Sequence, residues 1–234
     1  MVDVFYPLIP ARGDNAELRY SLRSLENIKH DNVIIVGHKP SWVQGVIHIP
    51  FTDATRKRGY MGWHNVVRKE LIACQASGAE DIIMMNDDFY VTRPTEIGFY
   101  IREESLDRVL KMAKDRRRPV WVLAAIKNIM RLFPKGVSAY AHVPHRVNRQ
   151  KYIDLHGKYN LLERQYLTSD VYANEYRSCH NWEYQKDIKI YSGAHKIRTI
   201  GNTLFFSTND ALVKEKDFER EMDKLFPNKS RYEV

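Results

Sequence analysis

Cysteine is scarce in this chain of 234 residues, with Cys74 and Cys179 the only two. Two thiols are too few for a disulfide framework and form no C-x-x-C metal pair, so a reduced compartment is expected, with both cysteines as small buried hydrophobes. No run approaches the roughly 18 to 20 consecutive apolar residues of a membrane helix. The opening MVDVFYPLIPARGD has no basic segment ahead of its apolar stretch, unlike a secretory signal. The chain therefore reads as soluble and cytoplasmic, with no membrane span. There is no internal repeat and no linker rich in Gly, Ser or Pro, so residues 1–234 are expected to form a single domain. Also missing are G-x-x-x-x-G-K-[ST], G-x-G-x-x-G and G-x-S-x-G, which argues against nucleoside triphosphatases, dinucleotide enzymes and serine hydrolases.

Basic residues are plentiful. Lys and Arg number 37 against 29 Asp and Glu, a net charge of +8, which should attract polyanions such as nucleic acid, nucleotide phosphates or acidic glycans. Hydrophobic residues make up 44% of the chain and aromatics 12%, enough to build a core and to exclude a long disordered chain.

Apolar runs alternate with helical patterns. DVFYPLI reads as a buried strand ended by Pro10 and Gly13. The segment DNAELRYSLRSLENI spaces Leu18, Leu22, Leu25 and Ile28 as a helix, with Asp14 or Asn15 as its cap. VIIVG (33–37) and VIHI (46–49) read as strands, 63–75 as a helix, and DIIMM (81–85) as another short buried strand. A helix near 103–115 runs into KDRRR, Pro119 opens the run VWVLAAI, and TLFFST (203–208) precedes a terminal helix near 211–225. This alternation predicts an α/β layered domain with a mainly parallel sheet, whose ligands collect beyond the carboxyl ends of the strands.

Asn86, Asp87 and Asp88 fall at such an end. Their oxygens suit Mg²⁺ or Mn²⁺ bridging a diphosphate, and if one Asp holds metal the other can serve as base. The plainer alternative is an ordinary turn and cap. Arg12, Asp14, Asn15, Arg19 and Arg23 surround the first helix; Arg19 and Arg23, four apart, share a face able to receive phosphate or to pair with Glu17 and Glu26 in solvent. In HVPHRVNRQK, His142 and His145 stand among Arg146, Arg149 and Lys151, where a histidine can move a proton or simply be structural. Arg56, Lys57, Arg58 and Arg116, Arg117, Arg118, with Tyr60, Trp63 and Trp121 nearby, can grip a nucleic-acid backbone or form solvated loops.

Taken in order, RGDNAELRYSLRSLENI, VIIVGHKPSWV and IIMMNDDFYVTRP resemble the second conserved region of the Stealth family, the hexose-1-phosphate transferases of microbial capsule synthesis and of lysosomal targeting. AHVPHRVNRQKY is similar to that family's third region, and STND followed by LFPNKSRYE to its fourth. The resemblance implies a glycosyltransferase-A-like core, a nucleotide-sugar donor and a divalent metal. Carried onto this sequence it marks Arg12, Asp14, Asn15, Arg19, Arg23 and Asn86 for the donor, Asp87 and Asp88 for metal, Asp88 and His142 for catalysis, and Asn209 and Asp210 as further candidates. Where relatives place a Trp-Val-Asp-Gly-type loop after the first strand, this chain has PLIPARGD, so Asp14 is the acid available there. The expected activity is transfer of a sugar or sugar phosphate to an acceptor hydroxyl on a glycan or, given the charge, on a hydroxylated base of viral DNA. A non-catalytic nucleic-acid-binding module is the alternative from another class.

Overall fold

The computed structural model describes residues 1–10, 14–54, 61–102, 104–139, 142–185, 188–200 and 202–234. Its first half runs β1 (Val2–Leu8), α1 (Ala16–Ser24), β2 (Val33–Gly37), β3 (Ile47–Ile49), α2 (Met61–Ala76), β4 (Asp81–Met84), β5 (Phe89–Val91) and β6 (Phe99–Ile101). The second half runs α3 (Leu106–Asp115), α4 (Val120–Leu132), β7 (His145–Asn148), α5 (Arg149–Tyr159), α6 (Thr168–Glu175), β8 (Trp182–Tyr184), β9 (Phe205–Ser207), α7 (Asp210–Val213) and α8 (Phe218–Leu225).

The central sheet has the order β3-β2-β1-β4-β7, with every pairing parallel except β4 with β7. From β1 the chain moves outward to β2 and β3, then returns to place β4 on β1's other side. The crevice between the carboxyl ends of β1 and β4 is thus the switch point at which open α/β sheets bind ligands.

The strands read as unbroken apolar runs because both faces of the sheet are covered. Phe5, Ile34, Val36, Ile82 and Met84 face one core with residues of α2, α4, α5 and α6. Val4, Tyr6, Val33, Ile35 and Ile83 face the other, where Leu18, Leu22, Leu25 and Ile28 pack as their spacing predicts. Gly37, at the end of β2, has φ +117, and a Cβ there would fall on the Leu8 carbonyl, so glycine lets β2 close against the end of β1. A third core joins Tyr20 and Tyr90 to Phe206, Leu212, Phe218 and Met222, fastening the C-terminal segment to α1 and β5.

Several expectations need correction. Asn15 occupies the cap position of α1 but is left-handed (φ 57) and makes no side-chain cap hydrogen bond. The terminal helix is two helices, α7 and α8, separated at 214–217. Cys74 is buried, but Cys179 is exposed. The stretch from 145 to 184, which shows no clean periodicity, supplies β7, α5, α6 and β8, built on polar-aromatic packing such as Tyr172 with Tyr152, Tyr176 and His180. Among the described residues no helix is long and apolar enough to cross a membrane.

Candidate active site

At the switch point, residues 86–88 link β4 to β5 in a tight turn closed by the Phe89 N–H donating to the Asn86 carbonyl at 3.1 Å. Ser21 of α1 braces it from beneath. Its hydroxyl donates to the Phe89 carbonyl (2.7 Å) and meets the Tyr6 hydroxyl at 2.9 Å. The turn alternative for NDD is therefore true as geometry, yet it leaves the two carboxylates at the strand end facing other acids.

The loop after β1 approaches from one side. Asp14 (φ 53) and Asn15 (φ 57) are consecutive left-handed residues, a conformation Asp and Asn tolerate better than other side-chain-bearing residues and which tends to persist where a site requires it. The Asn15 amide donates to the Ile9 carbonyl at 3.0 Å and its side chain also hydrogen-bonds Asp87. Asp14 is exposed, and its carbonyl accepts from the Trp42 indole N–H at 2.9 Å.

The strand pair β5–β9 brings in the other side. The Thr208 N–H donates to the Asp88 carbonyl (3.2 Å), while its hydroxyl donates to Glu17 Oε1 at 2.7 Å and meets the Tyr90 hydroxyl at 3.0 Å. Asp210 follows directly, close enough that its charge acts on Glu17, Asp87 and Asp88. Four carboxyl groups thus lie within electrostatic reach of one another, and Lys189, which donates to Asp88 Oδ2 at 3.0 Å, is the cation paired with them among the described residues.

Crowding like charges in a partly buried corner disfavours their ionised forms. Burial, then the neighbouring Asp88, pushes Asp87 up to about 6 despite the Asn15 hydrogen bond. Burial, eased by Thr208 and reinforced by Asp87, Asp88 and Asp210, lifts Glu17 to about 8. Asp88 is also raised by burial, against the pull of Lys189. Glu17 can therefore give or take a proton near neutral pH. Its spacing beside Arg19 and Arg23 suggests a surface partner, so only the fold reveals its place. Lys189 and Thr208 likewise carry no sequence signal beyond lying near or within the STND segment.

The remaining candidates are held in other ways. Arg19 and Arg23 turn to the C-terminal segment: Arg19 Nη1 and Arg23 Nε each lie 2.9 Å from the fully buried Glu233 carboxylate, and Arg23 also reaches Asp223 and the Phe226 carbonyl at 3.0 Å. Both guanidinium groups are thus paired with acids of the C-terminal segment rather than with Glu17 or Glu26. Asn209 is the cap of α7, its side chain accepting from the Leu212 N–H at 3.1 Å. His142 sits edge-on to Phe89, with ring centroids 6.3 Å apart, and borders a cavity next to Lys189. His145 is half-buried on β7, and desolvation pushes it down to about 4, so its imidazole is neutral at pH 7. Arg146 is bound to Asp81, so the cationic loop around the histidines is dispersed. Arg12, Arg56, Lys57, Arg58 and Tyr60 lie outside the described residues, as does the side chain of Trp63.

Among the described residues no three His, Cys, Asp or Glu side chains group as a ready-made metal site. Asp87 and Asp88 nevertheless fit a hard divalent cation in charge and donor type. Magnesium-like ions are commonly held by one or two carboxylates, with substrate phosphates completing the shell.

No family model matches the chain, so the Stealth resemblance rests on the quoted motifs, and no curated protein matches it in sequence. Among solved structures it is similar to the galactosyltransferase LgtC in complex with donor and acceptor sugar analogs, at 9% identity and TM-score 0.51, covering 97% of this chain and 95% of that one. Weaker likenesses are to mouse xyloside xylosyltransferase 1 (10% identity, TM-score 0.40, 90% and 97% covered) and to a glycosyltransferase involved in glycosylation of the major capsid of PBCV-1 (10%, 0.41, 96% and 98%). The chain adopts a glycosyltransferase-A-like fold: a mixed α/β domain with a mainly parallel sheet flanked by helices.

Proposed function

We propose that this protein is a transferase that takes a nucleotide sugar and passes its sugar, or its sugar phosphate, to an acceptor hydroxyl. The observation that carries this reading is the acid cluster at the β1–β4 switch point, where Glu17, Asp87, Asp88 and Asp210 act on one another and Lys189 is the cation paired with them among the described residues, on a fold shared with a galactosyltransferase bound to donor and acceptor analogs.

Asp87 and Asp88 would hold a divalent ion, Mg²⁺ or Mn²⁺, which when bound supplies charge to neutralise the donor diphosphate. Asn15 orients Asp87 through its side chain. Lys189 can move its charge from Asp88 to a phosphate oxygen once a cation joins the cluster, adding to leaving-group stabilisation. Glu17, held by Thr208 and titrating near neutrality, is placed to accept the acceptor's hydroxyl proton. His142, on the cavity side of the turn, is the second proton-carrying candidate.

The bond broken decides the product. Attack at the anomeric carbon releases nucleoside diphosphate, and attack at the near phosphorus, the outcome the Stealth resemblance favours, releases monophosphate. Mass spectrometry of reactions with a panel of nucleotide sugars and Mn²⁺ reads both directly. Release of either nucleotide that Asp87→Ala/Asp88→Ala abolishes supports the proposal. Release unaffected by that double substitution, or none with any donor, overturns it.

A further inference from the structure

Beside the acid turn lies a cavity of about 470 Å³ enclosed by α3, α4, the strand end after β6 and the segment following β8. It touches the candidate active site through two residues already described, since Lys189 and His142 both line it. Its volume lies within the usual range of about 300–1,000 Å³ for small-ligand pockets.

Its charge is lopsided. Among the described residues the wall carries Arg102, Arg116, Arg118 and Lys189 against one acid, Glu104. Lys189 is balanced by Asp88 and Arg102 by Glu104, whose carboxylate it meets at 3.0 Å. Arg116 and Arg118 have no ion pair among the described residues, and both are exposed. Their backbone is fixed. The Arg117 N–H donates to the Lys114 carbonyl and the Arg118 N–H to the Ala113 carbonyl, both at 2.9 Å, the paired bonds of a Schellman turn. Arg117 takes the left-handed position with φ 50, where glycine is the easy residue. The strain of an arginine there is offset by a turn that presents its two neighbours at the cavity.

The rest of the wall is aromatic. Trp121 stands on the first turn of α4, and Tyr184 and Tyr191 lie opposite with more than half of each side-chain-bearing residue exposed (53% and 55%). Flat amphipathic rings beside planar guanidinium groups suit a ligand with both apolar ring faces and an anionic substituent. A polymer backbone running across the surface would call for a row of cations along an open groove; here three exposed arginines share one short turn, and two of them line the cavity.

We propose that this cavity is the acceptor subsite and that it selects a small saccharide carrying a phosphate or carboxylate group, with Arg116 and Arg118 receiving the anion and Trp121 and the tyrosines stacking on the ring. The inference rests on the transferase reading for the word acceptor, while the binding it requires is independent of any donor.

The test uses the metal-free protein without nucleotide, titrated by NMR with matched pairs: trehalose against trehalose 6-phosphate, and maltose against digalacturonate. At least one anionic member should bind ten-fold or more tighter than its neutral partner, and which one does so identifies phosphate or carboxylate. Arg116→Gln/Arg118→Gln should erase that preference, Arg116→Lys/Arg118→Lys should restore part of it, and Trp121→Ala should weaken both members of a pair. Equal binding of neutral and anionic sugars overturns the proposal, as does a preference that survives the glutamine variant or tighter binding by a short oligothymidylate than by either anionic sugar. Because neither donor nor metal is present, failure here is separate from failure of Asp87 and Asp88 to support donor cleavage.

Discussion

The two ends of α1 meet carboxylates in opposite circumstances. At its far end Arg19 and Arg23 clamp Glu233, whose side chain is fully buried. Burial works against that charge, yet the hydrogen bonds from Arg23, the Ser230 N–H and Arg19 hold Glu233 below the usual carboxylate range. At its near end Glu17 joins Asp87, Asp88 and Asp210, with Lys189 the cation paired with them among the described residues, and Glu17 and Asp87 are driven upward. One helix thus carries a finished ion cluster and an unfinished one. Within two turns of one helix, a buried acid is neutralised by the chain's own arginines while other acids are left short of cations among the described residues, the arrangement that the proposed divalent ion would complete.

The sharpest way to break the comparison is at the unfinished end. Asp87→Ala/Asp88→Ala should lower nucleotide release from the donor by on the order of 10³-fold, measured by coupled nucleotide assay. Its melting temperature without ligand should not fall, because two repelling charges are removed. At the finished end Glu233→Ala should leave two arginines without their buried partner and cost about 3–5 kcal/mol in a urea melt, far more than any acid of the other cluster.

A smaller effect sharpens the contrast. Mn²⁺ and a nucleoside diphosphate together, at about 100 times their dissociation constant, should stabilise the native state by about 2.7 kcal/mol. Thermal melts should show the rise in the wild type and none in the Asp87→Ala/Asp88→Ala protein, whereas Glu233→Ala should retain the increment on a lower baseline.

The last contrast is in pH. Glu17 binds its proton more tightly folded than unfolded, so its contribution is complete below about pH 4.5 and is lost as pH rises through about 8. Glu17→Gln removes that loss. Relative to the wild type the variant should be unchanged near pH 4.5 and gain melting temperature progressively as pH rises to 8.5. A difference that stays flat across this range would mean that Glu17 titrates normally.

Much of the frame is legible in the sequence because it depends on local rules. The strands at 33–37 and 81–85, the leucine stripe of α1 and the acidic turn at a strand end all follow from period, β-branching and position. What escapes depends on partners distant in the chain. Arg19 and Arg23 look like phosphate ligands until Glu233 arrives beside them, and Glu17 looks like their surface partner until Thr208 draws it inward. Asp210 sits in a segment flagged by motif, but its effect on Asp87 comes only through the β5–β9 pairing. The region from 145 to 184 hides its helices for another reason: its packing uses tyrosine, histidine and tryptophan rings with polar tips, which leave no clean apolar stripe.

The Glu233 clamp joins residues 214 positions apart, and the same tail adds an antiparallel bridge from Glu233 to Val43. During synthesis α1 is made well before Glu233, so its two arginines gain this counter-charge only after the more than two hundred intervening positions have been added. Until then the first helix has an unsatisfied face, so the order in which the polypeptide is made sets the order in which this domain can be sealed.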